Sequence, residues 1–207
     1  MNIRLSQIRF FVLSIGLLLF FPLGSIYVFQ SGVPQPADLI LVTCVLVGFL
    51  LGVRAPMKHS VVIYRSMAFL IWVVIISLVW VTITGELSLL RIMSYYIYNI
   101  MVFIFIVAMS GKDSDKFWKI IKYAALIGVV SLSFQFLIKF DFSLKSQTLG
   151  FNNPNQLGYF VLCLACILYA VRIQGVINRT LFLLTHSILS CLIILSFSAG
   201  ATISILL

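Results

Sequence analysis

The chain has 207 residues, of which 62% are hydrophobic and 9% charged, and 14 Lys and Arg stand against 5 Asp and Glu for a formal net charge of +9. A soluble domain carries roughly 25% charged and about 45–50% apolar residues, so a water-soluble globule and a disordered chain are both excluded. A nucleic-acid binder is excluded as well, because it needs a basic patch with aromatics or a base-reading motif, and no such block occurs in the sequence. The excess apolar surface requires lipid as its solvent.

In chain order, the first uncharged apolar stretch covers residues 10–29, preceded by Arg4 and Arg9. It is too long for the core of a cleaved signal peptide and no small-x-small cleavage site follows, so it reads as a retained signal anchor. Pro22 within it predicts a kink that neighbouring groups can accommodate. Further spans are predicted over residues 39–53, 66–84, 92–109, 123–138, 157–171 and 180–197, with an eighth beginning before Leu207. The second and sixth have only about 15 apolar residues, roughly 22 Å of helix against a hydrocarbon core near 30 Å, and must recruit flanking polar residues or thin the bilayer. The expected architecture is all-α: a polytopic transmembrane helical bundle of about seven spans plus the start of an eighth. It forms a single integral membrane domain over residues 1–207, incomplete at its C-terminus.

The basic residues sort by side. With the N-terminus cytoplasmic, the inner segments hold Arg4, Arg9, Arg54, Lys58, Arg65, Lys112, Lys116, Lys119, Lys122, Arg172 and Arg179, with Asp113 and Asp115. The outer segments hold Arg91, Lys139 and Lys145 against Asp38, Glu86 and Asp141. The net charge of +9 therefore lies wholly inside, and the positive-inside rule selects this orientation.

Cys44, Cys163, Cys166 and Cys191 all fall within spans, where no disulfide framework is indicated. Cys163 and Cys166 form a CxxC, but without a second Cys or His pair they read as small packing residues. Over residues 110–122, Lys112, Lys116, Lys119 and Lys122 share one helical face, which predicts a short interfacial helix on the anionic inner leaflet or an ordinary basic loop. Intramembrane polar residues are few: Asn99 near Tyr95, Tyr96 and Tyr98; Ser131 and Gln135, four apart on one face; Thr185, His186 and Ser190. For His186 an interhelical hydrogen bond is the expected role.

The segment richest in chemistry is Leu-Gly-Phe-Asn-Asn-Pro-Asn-Gln-Leu-Gly-Tyr-Phe over residues 149–160. Asn152, Asn153 and Asn155 carry carboxamides that both donate and accept, and Pro154 holds its predecessor extended while opening a helix. Asn155 is the expected cap of the sixth span, with Gly150 and Gly158 relieving crowding. Such amides can equally bind sugar hydroxyls or a phosphate.

This segment, on an outer loop just before a span, resembles the bacterial O-antigen ligase and O-antigen (exopolysaccharide) polymerase family, whose members show a G-x-F-x-NPN-x-LG-like sequence there. The resemblance covers about a dozen residues closely and the span pattern loosely. It implies a multi-pass glycosyltransferase of the bacterial inner (cytoplasmic) membrane, acting in polysaccharide or lipopolysaccharide biosynthesis on a polyprenyl-diphosphate-linked oligosaccharide at the periplasmic face. No cofactor or metal is implied; the partners are that donor, membrane lipids and polysaccharide assembly proteins, with no nucleic acid. A polymerase extends a lipid-linked glycan, whereas a ligase moves the finished glycan to lipid A core. Asn152, Asn153, Pro154 and Asn155 with Arg91, Lys139 and Lys145 are the implied substrate-binding residues, and no catalytic residue is assigned.

Relatives are longer, with a large later outer loop carrying catalytic arginines and a histidine, and many have Ser-Arg-Gly where Ser198, Ala199 and Gly200 stand here. The chain is therefore expected to be the N-terminal half of such a protein, truncated and inactive alone. Two readings from other classes are a small-solute transporter fragment, with Asn99, Gln135 and His186 along its pathway, and a non-catalytic membrane scaffold using the Lys face.

In a chain with its native cysteines replaced, Lys145→Cys is expected to react with an impermeant maleimide on intact cells. Protection at that position contradicts the orientation.

Overall fold

The computed structural model describes residues 2–29, 34–53, 60–111, 113–139 and 148–196, with side chains from residue 7 onward. The described residues form seven α-helices: α1 Asn2–Gly24, α2 Pro36–Leu50, α3 Ser60–Thr84, α4 Ser88–Ser110, α5 Ser114–Lys139, α6 Pro154–Ile173 and α7 Arg179–Ser196. Six are long and apolar enough to cross a membrane, and α2 with 15 residues is shorter. An all-helical chain is what lipid enforces, because a helix satisfies its backbone polar groups internally. Two compact units result, one from Met1–Leu13 and Val42–Ser114, the other from Ser14–Leu41 and Asp115–Leu207.

In the first unit, α3 and α4 pack as a hairpin whose turn passes through Gly85 at φ 70°. No residue of α3 is buried, and Tyr64, Trp72 and Trp80 are all exposed; a helix apolar all round is a membrane segment. Helix α2 ends in a Schellman motif. Gly52 at φ 74° donates to the Phe49 carbonyl and Val53 to the Gly48 carbonyl. Arg9 Nε donates to the Leu51 carbonyl at 2.8 Å, tying α1 to this helix end. Beside it, Phe105 is 1% exposed and lies over Gly48, so that a Cβ there would overlap the ring.

In the second unit, α5 corrects the expected interfacial helix. Residues 114–139 form one continuous helix of 26 residues, about 39 Å long. Phe117 and Ile121 are buried in the same stripe as Ala124, Gly128, Leu132 and Gln135, a 3.6-residue repeat that fuses the two predicted pieces. Lys116 and Lys119 are exposed at its start, while Lys112 lies outside the described residues. At Gly128 a Cβ would sit 3.1 Å from Phe21 Cβ of α1 and 3.2 Å from a Leu164 methyl of α6, so this glycine sets close helix approach.

Helix α6 also ends in a Schellman motif, at Gly175 with φ 69°. Asn178 Oδ1 then caps α7 by accepting from Leu181 N at 2.8 Å. Cys163 and Cys166 are exposed on α6 rather than packed. The expected interhelical bond of His186 is not found among the described residues. Its ring stacks on Phe182, with centroids 5.2 Å apart, and Nδ1 is buried without a partner among the described residues.

Gly48→Ala is expected to destabilise the protein in detergent by about 1–3 kcal/mol through overpacking against Phe105, read as a lower unfolding midpoint. Combining it with Phe105→Leu should recover part of the loss; a fully additive double variant would contradict the contact.

Candidate functional site

The site lies in the second unit, where two non-helical segments, residues 25–29 and 148–153, meet ahead of α6. Helix α1 runs through Pro22 and stops at Gly24, not at Phe29 as the apolar run predicts. Ser25 Oγ donates to the Pro22 carbonyl at 2.7 Å, and Ile26 N to the Leu23 carbonyl at 3.0 Å. Residues 26–29 run on without secondary structure and find partners elsewhere.

Gln35, 5% exposed, supplies several of them. Its Oε1 accepts from Val28 N at 3.0 Å and Phe29 N at 3.1 Å, and its Nε2 donates to the Phe29 carbonyl at 3.2 Å. Gln35 also precedes α2, with Pro36 at the first helical position and Asp38 Oδ2 accepting from Gln35 N at 2.9 Å. That is the reciprocal half of a capping box.

The facing segment opens with a β-turn in which Phe151 N donates to the Thr148 carbonyl at 2.9 Å. Leu149 takes φ 51° there, a left-handed conformation that costs a non-glycine residue of order 1 kcal/mol or more and is held by burial of its side chain. Gly150 follows, its carbonyl accepting from Tyr27 N at 2.9 Å. A Cβ at Gly150 would run into the Ser25 carbonyl oxygen and lie 2.5 Å from Gln135 Oε1. The expectation that this glycine relieves crowding is met.

Beneath the turn is a polar cluster. Ser25 is fully buried, Gln135 is 8% exposed, and Gln135 Nε2 donates to Ser25 Oγ at 2.5 Å while Ser131 Oγ lies 3.3 Å from the same hydroxyl. Gln135 Oε1 is buried with no hydrogen-bond partner among the described residues. Around the cluster, Tyr27, Phe151, Phe160 and Phe21 follow one another with ring centroids 5.3 to 6.3 Å apart, spacings typical of favourable aromatic pairs.

The asparagines divide into different roles. Asn153, extended at φ −151° and ψ 159°, caps α6: its Oδ1 accepts from Gln156 N at 2.9 Å, and Pro154 takes the first helical position. The cap is thus Asn153 and not Asn155, because proline at N1 fixes the preceding residue as N-cap. Gln156 Oε1 reaches back to Asn152 N at 3.2 Å, and Asn152 Nδ2 donates to the Phe29 carbonyl at 3.1 Å. Asn155 is exposed and makes no side-chain hydrogen bond among the described residues.

Lys139 is the exposed last residue of α5 in this unit, where its charge complements the helix C-terminus. Arg91 is exposed in the first turn of α4 in the other unit, without an ion pair to Glu86. Lys145, with Ser198, Ala199 and Gly200, lies outside the described residues. The structure thus brings Asn152, Asn153, Pro154 and Asn155 together with Ser25, Gln35, Gln135 and Gln156. Of these four, sequence reasoning singled out only Gln135; the Gln-Pro-Ala-Asp pattern over residues 35–38 was the available signal for Gln35.

Chemically the loop offers hydrogen-bond donors and acceptors. Amides and hydroxyls donate and accept hydrogen bonds but do not exchange protons near neutral pH, so these groups are suited to holding a polar ligand and not to acting as a base. Among the described residues no group of three or more His, Cys, Asp or Glu is placed to hold a metal ion.

Fold and site together define an α-helical protein of multi-pass membrane character with a carboxamide-lined loop at one helix entry. Comparison with protein-family models, with curated proteins and with solved structures found no match.

Gly150→Ala is expected to cost about 1–3 kcal/mol, since its new methyl meets backbone at Ser25 and the loop must shift. Asn153→Ala is expected to cost about 1 kcal/mol through loss of the cap. Unfolding midpoints in detergent measure both, and a Gly150→Ala protein as stable as the parent contradicts the packing of the two segments.

Proposed function

We propose that the chain is a multi-pass protein of the bacterial inner membrane with seven spans and a cytoplasmic N-terminus, and that the loop over residues 149–156 binds a polyprenyl-diphosphate-linked oligosaccharide for glycosyl transfer of the O-antigen polymerase type. The orientation is supported by the one-sided charge, which puts this loop on the outer face. The transfer is supported by the resemblance of the segment Gly150 to Tyr159 to that family.

The observation that carries the reading is the division of labour among the asparagines. Asn152 directs its amide to the Phe29 carbonyl of the facing segment and Asn153 accepts from Gln156 N of the loop itself, while Asn155 is exposed in the first turn of α6 and makes no side-chain hydrogen bond among the described residues. A carboxamide beside a helix N-terminus suits sugar hydroxyls or diphosphate oxygens. Transfer breaks a sugar–phosphate bond, so a base must activate the acceptor hydroxyl while cations stabilise the departing diphosphate. In this reading the loop positions the donor, and Lys139 of the same unit supplies positive charge. An O-antigen ligase uses the same donor and differs in its acceptor.

Asn155→Ala in the full-length protein, expressed in its own cells, is expected to lower glycan extension roughly 10- to 100-fold, as for loss of hydrogen bonds to a charged group, with lipid-linked donor accumulating and protein abundance unchanged. A normal glycan ladder from that variant contradicts the site.

A further inference from the structure

A second polar feature lies on the exposed face of α5. With 26 residues, about 39 Å of helix, α5 is longer than a hydrocarbon core of about 30 Å is thick. If its last residue, Lys139, marks one boundary of the core, about 20 residues of helix cross it and the other boundary falls at Lys119. Lys119 is exposed and Lys122 half-buried, and neither pairs with a carboxylate among the described residues. Asp115 stands one turn before Lys119, exposed and likewise without an ion pair to it.

From Lys119 onward the exposed positions continue through Tyr123, Ile127 and Val130. Steps of four, four and three residues put them on one helical face, opposite the buried stripe of Ile121, Ala124, Gly128 and Leu132. Lys122 Nζ lies 4.4 Å from the centre of the Tyr123 ring, a cation–π distance that holds its ammonium at the level of the phenol. Along a single helix, therefore, two cations come first, a tyrosine next and aliphatic side chains last. One leaflet, about 15 Å of hydrocarbon, reaches from Lys119 to Val130.

Charge and order together select the occupant. Two ammonium groups at a hydrocarbon boundary attract an anion, the phenol donates to an acceptor just inside it, and the aliphatic face suits a hydrocarbon chain. We propose that this face of α5 binds an anionic glycerophospholipid, with its phosphate between Lys119 and Lys122, an ester carbonyl accepting from the Tyr123 hydroxyl, and an acyl chain along Ile127 and Val130. Lysines three residues apart have Cβ atoms about 5–6 Å apart, and their flexible stems reach outward, so one phosphate can accept from both. A zwitterionic headgroup brings an ammonium of its own, which the lysines repel. The site requires only that α5 crosses a membrane and is independent of any glycosyl transfer.

The test is a lipid titration of the purified full chain in uncharged detergent, followed by native mass spectrometry. Dioleoylphosphatidylglycerol is expected to bind about tenfold more tightly than dioleoylphosphatidylethanolamine, about threefold for each lysine, the scale of an exposed ion pair. Lys119→Gln with Lys122→Gln should abolish that preference, and Lys119→Arg with Lys122→Arg should keep it. Arg179→Gln, the same charge change at the start of α7, should leave it unaltered. Should the double Gln variant fail to fold, Lys119→Gln alone decides, since that position is exposed, with a threefold loss expected. Equal binding of the two lipids overturns the assignment, as does a preference that survives the Gln substitutions. Loss of the preference in Arg179→Gln overturns it in favour of a response to net charge, and displacement by millimolar inorganic phosphate overturns it in favour of a free anion site.

Discussion

A backbone N–H or C=O left without a partner in hydrocarbon costs several kcal/mol, and this constraint governs where the chain is helical and how each helix ends. Within α1 to α7 the ladder meets it. At the ends other groups must act, and here they are chosen from a narrow chemistry. Glycines at φ 74° and 69° let α2 and α6 fold their last amides back, Arg9 and Arg172 reach nearby carbonyls, and Gln35, Asn153 and Asn178 receive the first amides of the connecting segments and helices.

The same constraint explains why the candidate site is where it is. Residues 25–29 and 148–153 are two non-helical stretches of the second unit, and they answer each other through Tyr27 N to the Gly150 carbonyl and Asn152 Nδ2 to the Phe29 carbonyl. Carboxamides serve because each both donates and accepts without carrying charge into an apolar setting. The arrangement is not free of tension. Leu149 is held at φ 51° and Gln135 Oε1 is buried without a partner. Strain and an orphaned acceptor adjoin Gly150 at the start of the asparagine motif, a concentration that is typical of functional sites.

Much of the fold is legible in the sequence because lipid demands long apolar runs, and each of the seven complete predicted spans has a helix, while the start of the eighth lies outside the described residues. Helix ends are less legible. The proline at the first helical position makes Asn153 the cap of α6, whereas the asparagine cluster alone points to Asn155; the apolar run points to Phe29 and does not mark the end of α1 at Gly24. The Phe117, Ile121, Ala124, Gly128 repeat contains the continuity of α5, but the lysines interleaved with its start mask it. What no local pattern holds is tertiary partnership. Nothing near Ser25 or Gln35 announces that one meets Gln135 and the other the Phe29 backbone. Likewise Arg91 and Lys139 look alike as outer cations, yet they belong to different units.

The central claim is that carboxamides order two irregular segments into one surface ahead of α6. Hydrogen–deuterium exchange of the detergent-solubilised protein tests it most directly. The amides of Tyr27, Val28, Phe29 and Asn152 are expected to exchange far more slowly than free loop amides, and Gln35→Ala should release Val28 and Phe29 while leaving Gln156, held by Asn153, protected. Exchange of all four amides at unprotected rates in the parent protein would contradict the account.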